Sequence, residues 1–159
     1  MKQKNDLLKA LNSLLIEKLT VVNKFMVHSE MCENLGYRNL HLAIQKMAMD
    51  QMLLAEWLIE RISFLYDSSE LSSLKGIMIK KTVSELVSKN KTEHPVTVHA
   101  YKEAIHLAYE ADDNATAALL TRILKKEESH LGWTELQRKE IEQNGLEEYL
   151  ATQIEYQTN

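Results

Sequence analysis

Glu127 and His130 lie in the run Ile123-Leu124-Lys125-Lys126-Glu127-Glu128-Ser129-His130-Leu131-Gly132-Trp133. Their spacing of three puts a carboxylate and an imidazole on one face of a helix, one turn apart. Leu120, Ile123, Leu124 and Leu131 surround that face with apolar neighbours. Oxygen and imidazole donors directed into a helical core are ligands for a metal such as ferrous iron. Helical bundles that hold two such ions take a Glu from each of two helices and a Glu-x-x-His from each of two others. Only one of those four contributions is intact here, so the rest of the chain decides what the motif means.

The elements that position it are read from composition and periodicity. The chain has 159 residues, 45% hydrophobic and 26% charged, with one Pro and four Gly. That suits one domain, residues 1–159, built of long helices with few turns. A net charge of −4 argues against a nucleic-acid partner held by general basicity. Cys32 is the only cysteine, which excludes an intrachain disulfide. The sequence has no signal-peptide core and no apolar run of membrane-spanning length, so the cytoplasm is the expected compartment.

A first helix is expected from Asp6, as cap, to Leu35, with Gly36 as stop. Its inner stripe reads Leu8, Leu11, Leu15, Lys18, Val22, Phe25. A second is expected from Arg38 to Tyr66, with Ile44, Met47, Gln51, Leu54, Leu58, Ile62 and Leu65 inward. The Ser-rich stretch 67–81 lacks periodicity and is long enough to cross the length of a bundle. A third helix is expected over residues 82–111, with Val83, Val87, Asn90, His94, Val98, Tyr101, Ile105 and Ala108 inward. Pro95 should distort it. Asp112-Asp113-Asn114 reads as turn and cap, Asn144-Gly145 as the end of the fourth helix, and residues 146–156 as a short fifth. The expected fold is all-α, a four-helix bundle with a long crossover and a short C-terminal helix.

Several segments carry a more specific likeness. Leu19-Thr20-Val21-Val22-Asn23, Val27-His28-Ser29 and Ala55-Glu56-Trp57-Leu58-Ile59-Glu60-Arg61-Ile62-Ser63-Phe64-Leu65 resemble bacterioferritin, within the ferritin-like superfamily. So do Glu127 to Trp133 and Gly145-Leu146-Glu147-Glu148-Tyr149-Leu150. The resemblance spans nearly the whole chain. It implies iron storage in a hollow 24-mer shell, with a di-iron ferroxidase centre inside each bundle.

Carrying the ferroxidase ligands across exposes the gaps. Lys18 stands where the first helix should offer Glu. Gln51 and Leu54 replace Glu-x-x-His on the second. His94 replaces Glu on the third, and only Glu127 and His130 match. Glu17 and Glu93 are each one residue early, and such a step turns a side chain by about 100° off the inner face. One carboxylate facing an ammonium does not balance two ferrous ions. The expectation is a lost centre in which Lys18 reaches Glu127, with Gln51, His94 and His130 supplying hydrogen bonds.

Met52 follows Gln51 and is rotated off the core stripe, toward Met49, Glu56 and Ile59. Taken alone it reads as packing. The resemblance makes it an axial ligand of haem b, two copies across a two-fold axis holding one haem, with Leu19, Val22, Asn23 and Met26 around it. It also implies self-assembly, with a second, ferroxidase-competent bacterioferritin subunit in the same shell, and a small ferredoxin as electron donor. His28, His41, His99 and His106 read as surface or interface residues. Asp50 matches an inner-wall position of the family, but Lys46 replaces its usual histidine neighbour. Two alternatives stay open: a working ferroxidase rearranged around Glu127, His130, His94 and Glu93, or a structural bundle without iron.

Overall fold

A computed structural model describes residues 2–66 and 97–154. Among the described residues there are five helices and no strand: α1 (Lys2–Asn34), α2 (Arg38–Leu65), α3 (Thr97–Glu110), α4 (Asn114–Asn144) and α5 (Leu146–Thr152). The expected crossover, Pro95 and the first half of the expected third helix fall outside these residues, as does His94.

The helices form because apolar residues recur at a period near 3.6 and need a shared interior. Leu8, Leu11, Leu15, Lys18 and Val22 of the expected α1 stripe are buried, as are Met47, Gln51, Leu54, Leu58 and Ile62 on α2. Phe25, Ile44 and Leu65, at the stripe ends, are only partly covered. On α3, Tyr101, Ala104 and Ala108 line the core and Ile105 is half-buried. The alanines allow α3 to lie close to its neighbours. Leu131 of α4 was expected to be inward but is 52% exposed, because the α4 core stripe ends at Glu127.

Two hairpins result. α1 and α2 turn at Gly36, whose φ of +83° suits a residue without a side chain. Ser29 near the end of α1 meets His41 near the start of α2, so the two helices run antiparallel. α3 and α4 are joined through residues 111–113, with Asp113 capping α4 by accepting from Thr116 N at 3.0 Å. α1 also packs on α3, and α2 on α4, which closes the bundle.

Hydrogen bonds pin its ends. Arg61 of α2 donates to Asp113 Oδ1 and to Thr116 Oγ1, each at 2.7 Å, tying α2 to the α4 cap. At the other end, Asn39 N donates to Gln153 O at 2.9 Å. Buried Tyr149 donates from its hydroxyl to Gln137 Oε1 at 2.8 Å, which seats α5. α1 starts at Lys2, so Asp6 lies inside the helix and caps nothing, and α5 stops at Thr152, short of the expected Tyr156.

Candidate functional site

The inner faces of α1, α2, α3 and α4 bring Lys18, Gln51, Leu54, Tyr101 and Glu127 into the core. Lys18 is 3% exposed and its Nζ contacts Glu127 Oε1 directly. The ammonium also sits 5.3 Å from the centre of the Tyr101 ring, within cation–π range. Burial pushes Lys18 below the ordinary lysine range, opposed by the neighbouring charges of Glu127 and Glu17. Burial raises the Tyr101 phenol, and the same two carboxylates raise it further. That phenol stays neutral and faces the pair as an uncharged wall.

His130 is committed to other partners. Gln51 Nε2 lies 2.8 Å from His130 Nδ1, and His130 Nε2 lies 3.3 Å from Asp50 Oδ2. An amide nitrogen can only donate, so Nδ1 accepts and the Nε2–H donates to Asp50 Oδ2. Gln51 and His130 were expected to bond to the Lys18–Glu127 pair. Instead they bond to each other, and Asp50, expected on an inner wall, completes their chain. Gln51 Oε1 is buried without a hydrogen-bond partner. A buried orphan acceptor of this kind costs about 1–3 kcal/mol.

Leu54 is 1% exposed and occupies, as packing, a position where the family pattern has an imidazole. The residues present do not fit two resident iron ions. Of the side chains at the pattern's positions, one is a carboxylate, and an ammonium already satisfies it. Both donors of the intact motif are engaged, Glu127 by Lys18 and His130 by Gln51 and Asp50. Among the described residues no group of three or more His, Cys, Asp or Glu is placed to hold a metal ion.

The second candidate region is the outer flank of α1 and α2. Met52 is 52% exposed, with Met49, Leu53 and Ile59 also exposed on α2. On α1, Leu19 is partly covered, Val22 buried, and Asn23 and Met26 exposed. A solvent-reachable thioether beside apolar side chains suits the iron of a haem, so the residues present fit that group.

His41 corrects the expectation of a surface or interface histidine. It is 7% exposed, and its Nδ1 lies 2.9 Å from both Ser29 Oγ and Ser29 O. Its Nε2 is 3.4 Å from Glu33 Oε2. His28 is exposed, as are His99 and His106. The hairpin tie at His41 and the Asp50–His130 bond were missed by sequence reasoning. No local pattern marks either one, since each joins two helices.

Comparison with known proteins agrees with this architecture. Residues 8–144 match the Ferritin family, described as a ferritin-like domain. The chain is 33% identical to the "Bacterial ferritin" of Synechocystis sp., over 97% of this chain and 99% of that protein. It is 33% identical to the "Bacterial ferritin" of Paramagnetospirillum magnetotacticum, over 96% and 94%. It is 30% identical to the "Bacterioferritin" of Mycobacterium avium, over 92% of each. With the all-helical bundle and the Glu127-x-x-His130 motif in its interior, the chain belongs to the ferritin-like family, on its bacterioferritin branch.

Proposed function

We propose that this chain is an iron-storage subunit whose di-iron ferroxidase centre has been replaced by an internal ion pair. The observation that carries the reading is the contact of Lys18 with Glu127 in the core. The ammonium supplies, from within the chain, positive charge that the family takes from metal. Leu54 fills the space of a lost ligand, and His130 is held by Gln51 and Asp50. Iron is cargo for this subunit, and its oxidation falls to a second, ferroxidase-competent bacterioferritin subunit in a shared shell.

The flank of α1 and α2 has a separate role in this reading. Met52 would hold haem b through its thioether sulfur, one Met52 from each of two copies, with Leu19, Asn23 and Met26 beside it. Each copy then contributes the same patch to an isologous interface. When bound, the haem supplies one-electron chemistry for iron release, with a small ferredoxin as donor. The thioether would hold the iron, and the apolar neighbours would exclude water from it.

The test is purification from the native host under conditions that keep shells intact. The reading expects a second bacterioferritin subunit carrying the full carboxylate and histidine set to co-purify with this chain. A shell of this chain alone that oxidises and stores ferrous iron contradicts it.

A further inference from the structure

The wall between α2 and α4 holds a groove of about 420 Å³ that the iron-storage reading does not use. Trp57, Glu60, Arg61 and Phe64 line it from α2, and Leu119 and Arg122 line it from α4. The α2 residues are spaced by three, one and three, so they share one side of that helix. Trp57 is five positions beyond Met52, which is about 140° round the helix axis, so the groove and the Met52 flank are different faces. A groove of this size falls within the range of small-molecule sites.

Three side-chain rungs cross that wall. At one end Arg61 meets Asp113 and Thr116, and at the other His130 meets Asp50. Between them Arg122 lies over the Trp57 ring, 4.4 Å from its centre. The two outer rungs each end on an aspartate. The middle one does not: among the described residues no hydrogen-bond acceptor meets the Arg122 guanidinium. The side chain is exposed, so its N–H donors face solvent while its plane rests on the indole. A guanidinium held this way is pre-organised for a carboxylate, which accepts two parallel hydrogen bonds from one edge of the fork.

The rest of the groove sets what the carboxylate carries. Phe64 is 75% exposed although the Arg61 guanidinium lies 4.8 Å from its ring centre. Leu119, from α4, is half-buried. A flat apolar body lying in the groove removes both from water. Charge limits that body to a single negative group. Asp113 already balances Arg61, so the remaining charged lining is one cation, Arg122, and one anion, Glu60. A second carboxylate on the ligand would meet Glu60 without a cation to offset it.

We propose that this groove binds a small aromatic monocarboxylate, its carboxylate on Arg122 and its ring against Phe64 and Leu119. The probe is naphthoate, titrated into the purified full chain by calorimetry, with naphthamide as its uncharged counterpart. The expected result is saturable binding of naphthoate at a single site per chain. Naphthamide should bind about 10-fold more weakly or worse, and Arg122→Gln should weaken naphthoate by a similar factor. Arg122→Lys keeps the charge but loses the fork, so its affinity should fall between wild type and Arg122→Gln. Glu60→Gln should tighten naphthoate and admit a naphthalene dicarboxylate. Arg138→Gln removes an exposed arginine that Glu135 and Glu142 already pair, and it should leave binding unchanged. Circular dichroism checks that each variant stays folded. The absence of saturable binding to the wild type overturns the proposal. So does equal affinity for naphthoate and naphthamide, or unchanged binding in Arg122→Gln.

Discussion

Lys18 and Glu127 stand 109 positions apart in the chain and meet in the bundle interior, on α1 and α4. Each makes the other's burial tolerable. A lone buried ammonium or carboxylate is driven toward its neutral form, whereas a bonded pair keeps its charges. The pair need not stabilise the fold relative to an apolar core, but halving it leaves an uncompensated charge.

Lys18→Met should therefore destabilise the protein by about 3–5 kcal/mol. The double variant Lys18→Met/Glu127→Met should lose far less, or nothing, since apolar replacement of a whole buried pair is often neutral. Chemical denaturation of the wild type and the single and double variants at neutral pH measures both. A loss in the double variant equal to the sum of the Lys18→Met and Glu127→Met losses would show that the pair is not energetically coupled.

Met52→Leu should abolish low-spin haem binding while leaving the fold intact. In the proposed role the thioether is the ligand, and leucine preserves the apolar bulk without a donor. Absorbance spectra after reconstitution with haem b distinguish the two proteins. The same low-spin spectrum in both would remove Met52 from the haem site.

Acid stability should depend on Asp113. Burial alone would raise its carboxyl, but hydrogen bonds from Thr116 and the charge and hydrogen bond of Arg61 outweigh it, so the folded value lies below the ordinary 3.8. The stabilisation is then full above that ordinary value and is lost as pH falls from it through the lower folded value. Asp113→Asn keeps a capping oxygen and loses the charge, so its unfolding free energy should vary less across that acid window. Asp113→Ala removes the cap as well and should cost about 0.5–2 kcal/mol at neutral pH. Denaturation midpoints from pH 5 down to pH 3 check the slope.

Much of this was legible in the sequence because it is written locally. Gly36 and Gly145 both have positive φ at the helix ends they were expected to mark, and Asp113 caps α4 as its place in the Asp112-Asp113-Asn114 turn suggested. The inward placement of Lys18, Gln51, Leu54 and Glu127 follows from period alone. What period does not give is the pairing of side chains between helices. The Asp50–His130 bond, the Arg61–Asp113 tie and the buried Ser29–His41 contact each depend on how one helix is rotated and shifted against another. The same blindness misassigned the hydrogen bonds of Gln51 and His130, which bond to each other while Lys18 contacts Glu127.

Residues can also be put back. Lys18→Glu, Gln51→Glu and Leu54→His together restore three of the family's ligands beside Glu127 and His130. The triple variant should gain oxygen-dependent oxidation of ferrous iron relative to the wild type, read from the absorbance of ferric products. No gain would mean that more than these positions separates the chain from a working centre.

The most direct measurement is stopped-flow mixing of the purified wild-type protein, loaded anaerobically with ferrous iron, against oxygenated buffer. With Glu127 held by Lys18 and His130 by Gln51 and Asp50, no fast phase above the protein-free rate is expected. A rapid oxygen-dependent phase that Glu127→Ala abolishes would contradict it.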